Sequence, residues 1–214
     1  MTTTKTTKTS NASRQPLRLS EIASSLPTSP ISSQAETPSP AILRCRAAYS
    51  NAENFLRVFN PDNQAAYTRD IKRVYLGHAP SLNIVAKAFS RAAAEAWLAI
   101  QLRDLSEFTG AKGQLTADKL DALAKVIIAE YGFLKVTELM HFFLRFKAGY
   151  YGRFYGSVDA LVITEALNTF CGERRETIAQ LREHEEAAKR NDEWQESRAK
   201  AVTYEEYLRW RYGR

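Results

Sequence analysis

Apolar residues recur every three to four positions along most of the chain after Pro40, and this period is typical of amphipathic helices. Glycine, proline and capping residues interrupt the pattern and predict where each helix ends. The predicted helices cover about residues 42–59, 62–76, 81–89, 91–108, 116–131, 138–147 and 159–171. No stretch alternates long enough for a sheet, so we expect an all-α fold, a compact bundle of six or seven helices over residues 41–171.

Several positions within this bundle have expected roles. Cys45 and Trp97 lie on apolar faces and are predicted to pack in the core. The helix over residues 138–147 is apolar nearly all round, which predicts that it is buried. Thr116 and Thr137 are expected to cap helix N-termini, and either Ser157 or Asp159 is expected to cap the helix that follows.

Residues 1–40 have a different composition from the rest of the chain. They are rich in Ser, Thr and Pro and contain no aromatic residue, so they bury too little to fold alone, and we expect a disordered tail. One apolar patch interrupts it, with Leu19, Ile22 and Leu26 on one helical face behind a Ser20 cap. This patch is a candidate docking peptide, and the alternative is a linker with scattered aliphatic residues.

Residues 172–214 also form a distinct segment. Residues 172–200 contain seven basic and eight acidic residues with few large apolar ones, which predicts an exposed helix supported by charge pairs such as Glu186 with Arg190. A capping box at Thr203 then predicts a short C-terminal helix. Its Trp210 and Tyr212 are candidate partner-binding residues. The alternatives are nucleic-acid contact, packing on a second copy of the chain in a homo-oligomer, and a frayed end.

The densest aromatic region spans residues 131–155, which hold nine aromatic residues. No acidic residue occurs between Leu139 and Val158, while the chain as a whole has a formal charge of +6, which permits an anionic partner. Basic groups neutralise phosphates and aromatic faces stack on unpaired bases, so the region favours single-stranded nucleic acid. The predicted phosphate contacts are Arg145, Lys147 and Arg153, and the predicted stacking residues are Tyr150, Tyr151 and Tyr155.

The same turn has a purely structural interpretation. Gly149 can serve as the left-handed residue that ends a helix, and the neighbouring rings can fill the bundle between two helices. A helix-turn-helix over residues 85–98 is disfavoured, because its second helix would present mostly alanine methyl groups to a DNA groove.

Candidate chemistry is sparse. The two cysteines lack the spacing of a disulfide framework or a zinc site, the three histidines are scattered, and no phosphate-loop, dinucleotide or nucleophile-elbow motif occurs. We therefore expect a protein that is not an enzyme and needs no cofactor or metal. No apolar run has the length of a membrane span or a secretory signal, so we expect a soluble cytoplasmic protein without a membrane partner.

Part of the chain resembles a known group of proteins. The resemblance rests on the segments Ala79-Pro80-Ser81-Leu82, Glu95-Ala96-Trp97-Leu98, Glu138-Leu139-Met140, Phe143, Arg145-Phe146-Lys147 and Tyr151 to Asp159. These segments, within about residues 79–175, resemble an uncharacterised family of small proteins from gut bacteria and their mobile elements. The resemblance implies a compact helical domain in a mobile-element setting and transfers no functional residue. The tail and the C-terminal arm depart from such a compact module.

Two functions remain as hypotheses. The first is a non-enzymatic nucleic-acid-binding accessory protein of replication or mobile-element biology. The second is an adaptor or scaffold that binds proteins through its tail and C-terminal helix. Residues 41–170 carry 16 basic and 12 acidic residues, whereas residues 171–214 carry ten of each, so an anion site is expected on the bundle.

Overall fold

The computed structural model describes residues 38–109, 115–152 and 159–213, and these residues confirm the all-α fold. The tail patch around Leu19, Ile22 and Leu26 lies outside the described residues, as do Arg153 and Tyr155. The helices are α1 (Pro40–Tyr49), α2 (Ala52–Val58), α3 (Gln64–Thr68), α4 (Ile71–Leu76), α5 (Leu82–Ala88), α6 (Arg91–Phe108), α7 (Ala117–Tyr131), α8 (Val136–Lys147), α9 (Ala160–Lys200) and α10 (Tyr204–Tyr212). A 3-10 turn, Pro61–Asn63, precedes α3.

Short polar residues start many of these helices. The side chains of Asn51, Asp70, Ser81 and Ser90 each accept a hydrogen bond from the backbone N–H three residues later. Such caps satisfy N–H groups that have no partner within the helix. Two of them divide segments whose apolar period predicted single helices: α1 ends before Asn51, and α3 ends before Asp70.

The start of α8 differs from the sequence prediction. Lys135 occupies the N-cap position, and the Thr137 hydroxyl instead donates to the Val74 carbonyl at 3.0 Å. The prediction that Thr137 caps this helix is therefore wrong. Thr116 does precede α7, but its side chain makes no capping hydrogen bond. Asp159 caps α9 by accepting from the Leu161 N–H at 2.7 Å.

The core lies around α8, which packs against α3, α4, α6 and α9. Phe142 and Phe143 are fully buried, as expected for a helix that is apolar on most of its surface. Cys45 and Trp97 are buried as predicted, and the Trp97 indole N–H donates to the Phe59 carbonyl at 2.7 Å. Burial of a large apolar side chain stabilises the fold by about 1.5–3 kcal/mol relative to an exposed one. Because α8 buries several such side chains, it contributes a substantial part of the stability of the core.

Helix α9 is longer than the sequence analysis expected. It runs for 41 residues without a break at Gly172, where a second helix was predicted to begin. Ile178 and Leu181 still pack against the core, and Glu185 is paired with Lys72 of α4 at 2.7 Å. Every residue from 186 to 200 is exposed, and we call this part the projecting segment. Only the second half of the predicted exposed helix therefore extends from the bundle.

Helix α10 follows the projecting segment after three residues in non-helical conformation. The predicted capping box is present: the Glu206 N–H donates to the Thr203 hydroxyl at 3.2 Å, and the Thr203 N–H donates to the Glu206 carboxylate at 2.9 Å. Gly213 ends the helix with a φ of 64°. In the part of the chain that the structure describes, none of the helices has the length and apolar character needed to cross a membrane.

Candidate functional site

The predicted aromatic turn begins where α8 ends. Gly149 has a φ of 81° and its N–H donates to the Phe146 carbonyl at 3.0 Å, while the Tyr150 N–H donates to the Arg145 carbonyl at 3.1 Å. These two bonds satisfy carbonyls at the helix end, so Gly149 is the left-handed residue that closes α8. The described part of the turn contains Arg145, Lys147, Tyr150 and Tyr151.

Arg145 is directed toward α9. Its Nη1 lies 2.6 Å from the Glu173 carboxylate, and its side chain is only 21% exposed. Its guanidinium also lies 4.6 Å from the centre of the Tyr150 ring and 5.5 Å from that of Tyr151. Arg145 therefore joins α8 and α9 and holds the turn beside them.

Lys147 is paired on the other side of α8. Its ammonium forms an ion pair with Asp104 and donates to the Gln64 side-chain carbonyl at 3.0 Å. The Lys147 side chain is 12% exposed. A phosphate at either Lys147 or Arg145 would have to displace a carboxylate from a partly buried pair, and this displacement costs part of the affinity it would bring.

The two adjacent tyrosines differ in environment. The Tyr150 side chain is 68% exposed, whereas the Tyr151 ring lies 5.3 Å from Phe142 and 6.0 Å from Phe146, centre to centre. The Tyr151 hydroxyl is buried without a hydrogen-bond partner, and burial raises its pKa. Tyr150 therefore presents an accessible ring face. Tyr151 instead packs against the rings of the bundle, as in the structural interpretation of this turn.

A polar cluster beneath this turn was not foreseen. His141 of α8 lies near Tyr75 of α4 and Phe170 of α9, and its Nδ1 is buried without a partner. Burial, helped by the positive charge of Arg145, lowers the pKa of His141 to about 4, and burial raises the pKa of Tyr75 to about 12. Both groups are neutral at pH 7. His141, Tyr75 and Phe170 come from three separate helices, and no local motif in the sequence marks them.

Glu138 and Arg174 form a second pair between α8 and α9. The Glu138 carboxylate has no exposed surface, and its Oε1 lies 3.0 Å from Arg174 Nε in an ion pair without hydrogen-bond alignment. Its Oε2 accepts from the Lys135 N–H at 2.9 Å. A charge buried so completely needs its partner, so this pair fixes the position of α9 on the bundle.

Helix α10 exposes the predicted partner-binding residues. Trp210 is 83% exposed, and Tyr204 and Tyr212 are also mostly exposed. The recorded ring contacts of α10 lie within the helix, between Tyr207 and Trp210 and between Arg211 and two tyrosines. Several exposed aromatic residues grouped on one short helix are typical of an interaction surface. Among the described residues, no group of His, Cys, Asp or Glu is arranged to hold a metal.

Comparison with known proteins gives one match. Residues 115–213, just under half of the 214-residue chain, are similar to a family of unknown function, DUF6633. The matched region begins later than the expected 79–175 and continues through the projecting segment and α10. The C-terminal arm is therefore within the part of the chain that is similar to this family, contrary to the expectation that it departs from it. No curated protein and no solved structure matches the chain.

Proposed function

We propose that this protein is a non-enzymatic cytoplasmic adaptor that binds a partner protein through α10. The observation that supports the proposal is the exposure of Trp210, Tyr204 and Tyr212 on a helix beyond the bundle. Tryptophan, tyrosine and arginine are the residues that most often dominate binding energy at protein interfaces. The Arg211 guanidinium lies 5.9 Å from the ring centres of both Tyr207 and Tyr212 and so places a cation beside the exposed aromatic residues.

The order of residues in α10 indicates how it binds. Tyr204, Tyr207 and Leu208 occur at i, i+3 and i+4 and lie on one face, with Trp210 and Tyr212 flanking it. Glu206 and Arg209 fall on the opposite side, Glu205 lies beside Tyr212, and Arg211 lies within the apolar face between Tyr204 and Tyr207. A helix with this division lays its apolar face into a hydrophobic groove of a partner. The projecting segment carries α10 away from the bundle, which leaves space for such a partner.

A capture experiment tests the adaptor. Wild-type protein and the variants Trp210→Ala and Tyr212→Ala are immobilised and exposed to lysate of the source cells, and bound proteins are quantified by mass spectrometry. Trp194→Ala is the matched control, because Trp194 is also exposed but lies on the projecting segment. Loss of a tryptophan that dominates the binding energy of an interface weakens binding by about thirtyfold.

The expected result is one protein that is retained by wild type and by the Trp194→Ala control and lost from the α10 variants. Capture of the same set of proteins by wild type and all three variants would contradict the proposed adaptor function. If the captured protein is the chain itself, light scattering will show self-association, and α10 is then an oligomer contact rather than an adaptor surface.

The second candidate is the nucleic-acid-binding accessory role in replication or mobile-element biology. The observation in its favour is the exposed Tyr150 ring with the Arg145 guanidinium beside it. Fluorescence anisotropy of a labelled single-stranded oligonucleotide at two salt concentrations tests it, with Tyr150→Ala compared with Tyr204→Ala. Salt-sensitive binding that only Tyr150→Ala weakens would favour this role. Absence of binding at low salt would reject it, which is the result expected if Glu173 and Asp104 neutralise the turn's described cations.

A further inference from the structure

A cleft of about 860 Å³ lies beside α1, and none of the predicted site residues is among its described lining residues. Its walls come from α1, the end of α4, the loop that joins α4 to α5, and the start of α8. The described lining residues on which the argument depends are Arg44, Tyr49, Phe59, Tyr67, Arg73 and Lys135. This volume is in the range of clefts that hold small organic ligands.

One wall of the cleft is aromatic. The Phe59 ring centre lies 5.4 Å from that of Tyr49 and 5.0 Å from that of Tyr67. Phe59 is buried and the two tyrosines are half-buried, so the rings are held by the core while the tyrosines retain accessible surface. A fixed aromatic surface of this kind favours a planar or apolar ligand body.

The charged residues that line the cleft are all cations. Arg44, Arg73 and Lys135 contribute side chains, and none of the described lining residues is acidic. Arg44 and Arg73 are exposed, and neither is in an ion pair within residues 38–109, 115–152 and 159–213. This differs from Arg145 and Lys147, each of which already has a carboxylate. Cations collected in a cleft without counter-charge attract an anion.

Lys135 is held by two backbone carbonyls, and the Glu138 carboxylate acts on its charge from nearby. Its ammonium donates to the Tyr75 and Gly77 carbonyls, each at 2.7 Å, and burial lowers its pKa. Arg73 lies near enough to Tyr49 for its charge to oppose the effect of burial on the pKa of that hydroxyl. A positive charge therefore borders the aromatic wall.

The walls of the cleft are held in place. Arg46 of α1 donates to the Ala88 carbonyl at 2.7 Å and so attaches α1 to α5. At Gly77, a Cβ atom would lie 2.2 Å from the Arg73 carbonyl oxygen, so the close turn after α4 depends on glycine. The cleft is thus formed before any ligand arrives, which reduces the cost of binding.

We propose that this cleft binds a small organic anion, whose carboxylate or phosphate group pairs with Arg44 and Arg73 and whose apolar body lies against Tyr49, Phe59 and Tyr67. A planar guanidinium donates two parallel hydrogen bonds, and both a carboxylate and a phosphate group can accept such a pair. This site is separate from α10 and does not depend on the proposed adaptor function.

Isothermal titration calorimetry of the full chain tests the proposal with three probes that share one ring system. 1-Naphthoate and 1-naphthyl phosphate carry the two anionic groups, and 1-naphthalenemethanol is the uncharged control. We expect the anions to bind, with the neutral compound weaker by about tenfold or more, because a hydrogen bond to a charged group is worth about 1.5–3 kcal/mol. The anion that binds more tightly shows whether the cleft prefers a carboxylate or a phosphate group.

Two variants locate the binding. Arg44→Glu with Arg73→Glu reverses the unpaired cations, and Ala48→Trp fills the cleft without a change in charge. Lys119→Glu with Lys125→Glu is the matched control, since both lysines are exposed on α7 and neither lines the cleft. We expect both cleft variants to lose about tenfold or more in anion affinity, while the control retains it. Circular dichroism confirms that each variant is folded.

The proposal is overturned if the folded wild-type protein binds neither anion. It is equally overturned if the neutral compound binds as tightly as the anions, or if the α7 control loses as much affinity as the arginine variant. Binding that survives Ala48→Trp would place the anion elsewhere on the molecule and would also reject the cleft.

Discussion

Removal of the cation from the pair between Glu138 and Arg174 is expected to destabilise the fold strongly. Arg174→Met keeps most of the side-chain volume but leaves the Glu138 carboxylate, which has no exposed surface, without its ion-pair partner. Loss of one partner from a buried pair costs about 3–5 kcal/mol. We expect the lower end, about 3 kcal/mol, because Glu138 keeps the Lys135 N–H and Arg174 is itself one-fifth exposed.

A double-mutant cycle separates this cost from other contacts of Arg174. The guanidinium also lies 5.6 Å from the centre of the exposed Phe133 ring, a contact worth about 0.5–1 kcal/mol. That loss is the same with or without the carboxylate. Glu138→Gln removes the charge while its amide can still accept from Lys135, so the double variant should be more stable than the sum of the two single changes predicts, by about 1–3 kcal/mol.

Urea unfolding followed by circular dichroism at 222 nm measures all four proteins at pH 7. Lys72→Met is the comparison, because Lys72 and Glu185 form a pair between α4 and α9 that is largely exposed, and its loss should shift the midpoint far less. A cost for Arg174→Met no larger than that for Lys72→Met would refute the reasoning. So would strict additivity in the cycle.

Two glycines and one histidine give further tests. Gly172→Ala should stabilise the protein to urea by up to about 1 kcal/mol, because Gly172 lies inside α9 and nothing lies within 4 Å of an added Cβ; a lower midpoint would contradict this. Gly132→Ala should destabilise it by about 1–3 kcal/mol, since the added Cβ would lie 2.4 Å from the Asn83 amide oxygen and 2.5 Å from the Ile128 carbonyl oxygen; an unchanged midpoint would show that both can move away. The folded state keeps His141 neutral down to about pH 4, whereas the unfolded chain binds its proton near pH 6.5, so stability should fall as the pH drops from about 6.5 to 4. In a plot of the urea midpoint against pH, His141→Phe should reduce the slope between about pH 6.5 and 4. An unaltered slope would show that another group is responsible.

The sequence predicted the helices whose apolar stripe and end signals agree. Helix α6 spans the residues 91–108 that the apolar period predicts, and the buried face of α8 follows from its apolar residues. The break after Tyr49 was missed because the apolar positions of α1 and α2 keep the same period across Ser50 and Asn51. Periodicity reports which face is buried, and it does not report a change of direction between two helices that face the same core.

The continuity of α9 was missed for an energetic reason. The charged composition of residues 172–200 predicts a separate exposed helix, and a glycine inside a helix costs about 1 kcal/mol relative to alanine. The ion pairs that Glu173 and Arg174 make with α8 stabilise the helix directly after this glycine. Such tertiary contacts override a local preference, and they cannot be inferred from residues 171–175 alone.

The charge state of the predicted turn could not be obtained from the sequence either. Arg145 pairs with a residue 28 positions away, and Lys147 with one 43 positions away. The chain contains 24 acidic residues, and helix packing decides which of them meets a given cation. The sequence does reveal the exposed aromatic residues of α10, because Trp210 and Tyr212 follow a segment too polar to pack.

The unbroken helix α9 determines the orientation of the surface that α10 presents. An α-helix turns by about 100° and rises by about 1.5 Å for each residue, so the projecting segment spans roughly 22 Å with a defined rotational phase. One residue inserted into it would move the start of α10 by little but rotate it by about 100° around the axis of α9. Seven inserted residues would add about 10 Å and restore nearly the original phase. In the proposed adaptor, the projecting segment is therefore a spacer whose length sets the direction, as well as the distance, at which α10 would hold a partner from the bundle.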